Sequence, residues 1–482
     1  MSAAAFLARL KNSRIVRGIG ANVYSQLVQT ALQLLSVPIY ATHWGLATYG
    51  AWLVIFTVPN YLAFADFGFA AAAANDMTVS VARGDRAAAI ETFHAVRAAM
   101  AGICSVVLLI CVAAVYAIPD VSLAFVSGLS HEQARYAILM LAAYGVLSIQ
   151  NSVSLAAFRS IGKYATGTYI HTTINFAENL GALVVVSLGG NIEDAAATYL
   201  AVGVLGIAAR MVWLRVQAGW LVYFSWRVSF GQVRRLLHPA FAVLALPMAQ
   251  ALFLQGTVAV VGLAAGAAAV PAFTAVRTLS RIGLQLTMIV NNAVVPEFTM
   301  AAASVDHRRR ARLAFMSITT SAVILLPMCL VVVTCGPLVL RLWTHGAIHA
   351  PYALIVLMAL TMVVNGSWLP ISNLIFALNR HAQYSYYYLA AAAGSVLLSY
   401  PLVKWLGSPG AAVSLLTLDC VMFARVWSGA MAMKVFDPKE VYETAVAEGA
   451  RLRHSWSKFA LRRSHDERPP LEPPSRDSGG AD

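Results

Sequence analysis

The densest group of chemically capable side chains in this 482-residue chain lies between positions 274 and 292, where Thr274, Arg277, Thr278, Arg281, Gln285 and Asn292 are related by intervals of three, four or seven residues. That spacing puts them on one stripe of an α-helix. Two guanidinium groups one turn apart repel each other, and a planar forked cation is well matched to a phosphate or carboxylate. Arg277 and Arg281 therefore read as a pyrophosphate clamp, or alternatively as two structural salt bridges, with Asp66 and Glu178 as the acidic partners. Either way the stripe turns toward the interior of whatever bundle holds it, because charge facing lipid is costly.

Two further stripes are milder. Asn22, Gln26, Gln29 and Gln33 share one helical face, as do Thr168, His171, Asn175 and Glu178. Together with Gln285 and Asn292, the residues Gln26, Gln29 and Asn175 are candidates for the wall of a wet cavity. The competing reading is interhelical hydrogen bonding, at about 0.6 kcal/mol apiece. Asp66 and Glu178 are either ion-coupling sites or counter-ions of the arginines, while Asp419 and Arg425 read as a structural pair or as side chains snorkelling to the interface. The run Tyr384, Tyr386, Tyr387 and Tyr388 fits an interfacial aromatic belt, with sugar stacking as the alternative. The five cysteines show neither ligand spacing nor even pairing and read as small core residues. No nucleophile, base or metal constellation stands out, so no enzyme, metal or cofactor is expected.

The elements that must position these groups follow from composition. Hydrophobic residues make up 59% of the chain and charged residues 11%, too few charges for an ordinary soluble protein. The apolar residues come in blocks of about 20, the length of a helix that crosses roughly 30 Å of hydrocarbon with its backbone satisfied internally. The expectation is an all-α polytopic membrane protein of about twelve spans, near 18–40, 50–73, 98–118, 136–158, 165–188, 195–216, 239–263, 267–296, 312–335, 351–377, 382–404 and 410–432. Arg277 then lies roughly 15 Å from the outer end of the eighth span, near the midplane. Arginines cluster at 9–17, 83–97, 159–163, 227–235, 308–312 and 380, on the side where positive loops stay cytoplasmic. Both termini are accordingly placed inside a bacterial inner membrane, and the net charge of +13 is read as topology rather than as nucleic-acid binding. The basic start leads into a block too long for a cleaved signal peptide. Residues 433–482, rich in Pro and charge, read as a partly disordered cytoplasmic tail.

Shifting the first six spans by 221 positions aligns Gln29 with Gln250, Gly45 with Gly266, Thr57 with Thr278 and Asp85 with Asp306. Six is even, so both halves enter the bilayer with the same orientation, as parallel repeats flanking a central cavity. The expected division is a first lobe at 1–216, a linker at 217–237, a second lobe at 238–432 and the tail.

The segments Pro38-Ile39-Tyr40, Trp44 to Trp52, Asp66-Phe67-Gly68-Phe69 and Gly84-Asp85, and in the second half Thr274 to Arg277, Pro296-Glu297-Phe298 and Asp306, resemble the polysaccharide flippases of the Wzx type. Those share a superfamily with the multidrug and toxin extrusion (MATE) transporters. The resemblance implies two six-helix lobes, alternating access, and a cationic cavity for the head of an undecaprenyl-diphosphate-linked oligosaccharide, an O-antigen or exopolysaccharide unit, with polysaccharide polymerase or assembly proteins as partners. Arg277 matches a position where relatives often keep a cation. Lipid II flippases of the superfamily usually carry two more C-terminal helices, which do not follow residue 433. The alternatives are a MATE-like cation or drug antiporter, which would need an acidic cavity, and a membrane polymerase or ligase, which would need a larger outer loop.

Overall fold

A computed structural model describes residues 14–66, 68–117, 130–221, 231–235, 248–303, 307–377 and 382–432, with a few isolated residues between 434 and 446. Every regular element among them is helical. The chain opens with α1 (Arg14–Ile55), followed by α2 (Thr57–Leu62), a 3₁₀ turn (Ala63–Asp66), α3 (Phe69–Ala82), α4 (Arg86–Ala117), α5 (His131–Ser160), α6 (Tyr164–Ser187) and α7 (Ile192–Gln217). A π turn (Leu252–Gly256) then leads into α8 (Thr257–Ala265), a 3₁₀ turn (Ala267–Ala269), α9 (Val270–Ala303), α10 (His307–Trp343), α11 (Tyr352–Ala377), α12 (Ala382–Leu406) and α13 (Ser408–Ala432).

Local signals account for several boundaries. Ser130 and Asn191 each close a reciprocal capping box, with Gln133 and with Asp194, so α5 and α7 start where their backbone donors find side-chain partners. Among the described residues, eight helical segments are long and apolar enough to cross a membrane, which makes this a multi-pass membrane protein. Helices α1, α6 and α9 are also long, at 42, 24 and 34 residues, but are less apolar. These three carry the polar stripes, and α1 packs on both α6 and α9.

The second expected span, 50–73, is not one helix. Helical geometry runs from α1 into its first residues, interrupted at Gly45 (φ 72, ψ 171), and the segment is then divided by the turn before Gly68. The equivalent break in the second half falls at Gly266 (φ 88, ψ 157). Both are conformations that an L-residue with a Cβ avoids, so the aligned glycines of the repeat make the same joint. The cysteines also depart from expectation: Cys104 is buried, but Cys335 and Cys420 are exposed on the outside of the bundle. An apolar thiol is at home against lipid, so exposure to hydrocarbon costs it little.

Helices α1 to α7 pack mainly on one another, as do α8 to α13, and the two groups meet where α1 touches α8, α9 and the 267–269 turn. At this seam a Cβ on Gly50 would sit 1.7 Å from the Ala267 carbonyl oxygen. The short helix at 231–235 ties back to the first group through Arg235 and Asp76, whose Nη2 and Oδ1 are 2.7 Å apart. The expected tail lies almost entirely outside the described residues.

Gly50→Ala is expected to destabilise the protein by at least about 1–3 kcal/mol, the usual range for forced overpacking. Gly102→Ala, whose added Cβ meets nothing, should leave stability unchanged or slightly raised. Thermal melting in detergent checks both, and equal midpoints would show that the close approach at Gly50 is unimportant.

Candidate functional site

A cavity of about 450 Å³ opens among α9, α11, α12, α13 and the turn before α8. From α9 it takes Arg277, Ser280, Arg281, Leu284, Gln285 and Met288, which include Arg277, Arg281 and Gln285 of the stripe read from the sequence but neither Thr274 nor Thr278. From α11 come Met358, Thr361, Asn365, Trp368 and Ser372, again at helical spacing. Tyr384 and Tyr388 of α12 and Asp419 of α13 complete the wall.

Arg277 and Arg281 are both half-buried. Arg277 donates through Nη1 to the Leu254 carbonyl at 2.6 Å and lies 5.3 Å over the Phe273 ring. Leu254 belongs to the π turn, an irregularity of a kind frequent at functional sites. A guanidinium carries five N–H donors, so this one bond leaves most of Arg277 available, and all of Arg281. Among the described residues neither arginine has a carboxylate within 4.0 Å. The expected salt bridges to Asp66 and Glu178 are therefore absent. Asp66 sits at the turn after α2, its Oδ1 accepting from the Gly68 amide at 2.9 Å. Glu178 is buried inside the first helix group, accepting from the Tyr144 hydroxyl at 2.8 Å and feeling the charge of Arg210. Each acid is held by local donors, which removes its need for a distant arginine.

The other candidates divide. Gln285 lines the cavity and also reaches α1, where its Oε1 accepts from Thr30 Oγ1 at 3.0 Å and its Nε2 lies 3.5 Å from Gln33 Oε1. Gln26, Gln29 and Asn175 lie on α1 and α6, outside this cavity, with Gln29 exposed. Asn22 bonds to Tyr164 at 3.0 Å, Gln33 to Gln285 at 3.5 Å and Glu178 to Tyr144, so several members of the milder stripes do serve interhelical contacts. The backbone of Asn292 continues α9, and its side chain lies outside the described residues. The tyrosine run splits: Tyr384 and Tyr388, one turn apart, are buried in the cavity wall, while Tyr386 and Tyr387 are exposed.

Asp419 was misread from the sequence. It is fully buried and does not pair with Arg425, whose guanidinium lies 4.2 Å over the Tyr387 ring. Instead its Oδ1 accepts from Asn365 Nδ2 at 2.7 Å and from Trp368 Nε1 at 3.0 Å. Sequence proximity on α13 favoured Arg425, yet six residues is more than a helical turn and a half and points the two side chains apart. The α11 contribution was missed altogether. Its signal was the spacing of Thr361, Asn365, Trp368 and Ser372, polar or amphipathic groups every three or four residues in an otherwise apolar block.

No family model matches the sequence, and neither does any curated protein. Solved structures do match in fold. One is an inward-facing multidrug resistance MATE family transporter of the MOP superfamily, with a TM-score of 0.65 and 15% identity over 84% of this chain and 95% of that one. Another is the lipid II flippase MurJ in an inward closed conformation, with a TM-score of 0.67 and 14% identity over 90% of each chain. The chain has a MATE-like fold. At these identities the likeness is one of architecture, and it agrees with the superfamily that the sequence resembles.

In a cysteine-free background, Asn373→Cys and Met288→Cys on the cavity wall should react readily with a water-soluble maleimide, whereas Leu326→Cys, on an outward face of α10, should not. A thiol in hydrocarbon does not ionise to the reactive thiolate. Equal labelling of the three in membranes would show that the cavity is dry.

Proposed function

We propose that the protein is a flippase that moves an undecaprenyl-diphosphate-linked oligosaccharide from the cytoplasmic to the outer leaflet of a bacterial inner membrane by alternating access. The observation that carries this reading is the pair Arg277 and Arg281 on one face of the cavity with no carboxylate within 4.0 Å among the described residues. Uncompensated cations inside an apolar bundle call for an anion that comes and goes. A diphosphate has the charge and the spread of oxygens to engage both forks.

Volume narrows the guest further. A space of about 450 Å³ falls within the ~300–1,000 Å³ of ordinary small-molecule sites, so it holds a headgroup, not a whole oligosaccharide. The remaining sugars would occupy the space between the two helix groups, and the polyprenyl chain would stay in lipid. Twelve spans in two six-helix lobes, with both termini cytoplasmic, fit the alternation of arginine clusters. In that orientation Asn373 and Tyr384, near the inner ends of their spans, would put one end of the cavity toward the cytoplasmic side, where a lipid-linked precursor is made. One solved neighbour in fold is described as a lipid II flippase, which supports a lipid-linked cargo for this architecture. Polysaccharide polymerase or assembly proteins are the natural recipients of the product.

A second reading, a MATE-like antiporter of cationic compounds, is favoured by one observation, the buried carboxylate of Asp419 in the same wall. The two arginines oppose it, since they raise the local positive potential that such a cargo would have to enter.

Reconstituted vesicles separate these readings. Arg277→Gln and Arg281→Gln should each slow flipping of a polyprenyl-diphosphate-linked glycan by about tenfold or more, the loss of one charge-assisted contact. Unchanged flipping in both variants would remove the clamp. Sodium- or proton-driven movement of an organic cation by the wild type would establish the antiporter instead.

A further inference from the structure

Beside the arginines the cavity holds a second arrangement that an anion site does not require. Asp419 is fully buried on α13, and its Oδ1 receives two donors from α11, Asn365 Nδ2 and Trp368 Nε1. With Asp419 ionised and so an acceptor only, the NH₂ group of Asn365 faces Asp419 and its carbonyl faces away. Asn365 is half-buried and lines the cavity, and among the described residues no donor engages its Oδ1. The Trp368 ring, pinned by the same carboxylate, packs edge-on against Tyr388 at 5.7 Å and 62°, which keeps the wall rigid around the amide.

We propose that Asn365 is the specificity-determining acceptor for the sugar attached directly to the diphosphate, and that Asp419 is the positioning residue that aims it. This rests on the flippase reading, with the phosphates held by Arg277 and Arg281. A sugar ring offers hydroxyl and amide N–H donors next to its phosphate. An oriented carbonyl oxygen in a largely apolar wall, with Thr361 one turn away on α11, is the complement of such a donor. A site built around a hydrogen bond rejects a guest lacking the partner far better than an apolar wall does, because the buried polar group is then left unpaired. Asp419 acts from behind: its own oxygens are shielded, and its second oxygen, Oδ2, has no partner among the described residues.

Binding to the purified full chain in nanodiscs tests this with two kinds of probe, farnesyl diphosphate and farnesyl diphosphate carrying one sugar, the sugar being N-acetylglucosamine, N-acetylgalactosamine, glucose or galactose in turn. At least one sugar-bearing probe should bind wild type about tenfold tighter than farnesyl diphosphate. Asn365→Ala should erase that preference while leaving farnesyl diphosphate affinity within about twofold, and Asp419→Asn, close in shape, should reduce the preference by a smaller factor; Arg281→Gln should weaken every probe alike. A general loss of packing would lower all affinities together and would not change the ratio. If wild type binds farnesyl diphosphate but shows no preference for any sugar, or if Asn365→Ala keeps the preference, the sugar-reading role is wrong while the diphosphate clamp stands. If wild type binds none of the probes, the flippase reading itself fails. If sodium or another cation, titrated alone, binds wild type and is lost in Asn365→Ala and Asp419→Asn, the Asn365–Asp419 pair is a cation site and the proposal is overturned.

Discussion

A guanidinium in hydrocarbon costs about 2.5–3.5 kcal/mol even on the lenient insertion scale, and α9 carries two of them one turn apart. Much of the second helix group can be understood as the response. Arg277 and Arg281 face inward, which orients α9; a π turn before α8 offers Arg277 a backbone carbonyl; and the facing stripe of α11 is amide, hydroxyl and indole rather than leucine. A fully apolar wall would strip water from the arginines without replacing its hydrogen bonds. A wall with carboxylates close by would neutralise them permanently. The arrangement avoids both, since the one carboxylate in the wall is already committed to Asn365 and Trp368.

The class of fold was readable because lipid allows so few solutions: apolar blocks of membrane length must be helices. The three helices with polar stripes were readable as well, and α1, α6 and α9 adjoin through α1. What periodicity could not supply was the partner of each polar group. Glu178 and Asp66 looked available to the arginines because a one-dimensional pattern shows which face a residue occupies but not which helix faces it; Tyr144 and the Gly68 amide had the prior claim. Asp419 was hidden for the same reason, as its partners lie 54 and 51 residues away on α11. The broken second segment escaped because a hydropathy window averages over the 63–66 turn and Gly68, whose backbone interrupts the helix without altering its apolar content.

The two halves are similar where the backbone turns and different where charge is placed. Gly45 and Gly266, equivalent under the 221-residue offset, adopt the same left-handed, extended geometry. Under that offset Phe56 stands where Arg277 is and Asn60 where Arg281 is, so the first half has no counterpart of the clamp. A shared feature survives one helix deeper. Tyr144 and Asn365 are also equivalent, and each donates a hydrogen bond to a buried carboxylate, Glu178 on α6 and Asp419 on α13.

This division has a mechanical consequence. Across the seam between the halves an apolar core shared by residues such as Trp52, Val54, Val258 and Phe273 is joined by few described polar or close contacts: Gly50 against the Ala267 carbonyl, Gln285 against Thr30, and the Trp343 indole against the Leu34 carbonyl at 2.7 Å. Two of these three contacts are single hydrogen bonds, each of which inside a membrane contributes well under a typical ~2 kcal/mol. Rearranging such a seam is inexpensive compared with moving an arginine across lipid. On the flippase reading, anion recognition concentrated in one half would let the seam rearrange while Arg277 keeps its helix, its carbonyl and its wall. Gln285 sits at the meeting of the two tasks, lining the cavity on one side and bonding α1 on the other.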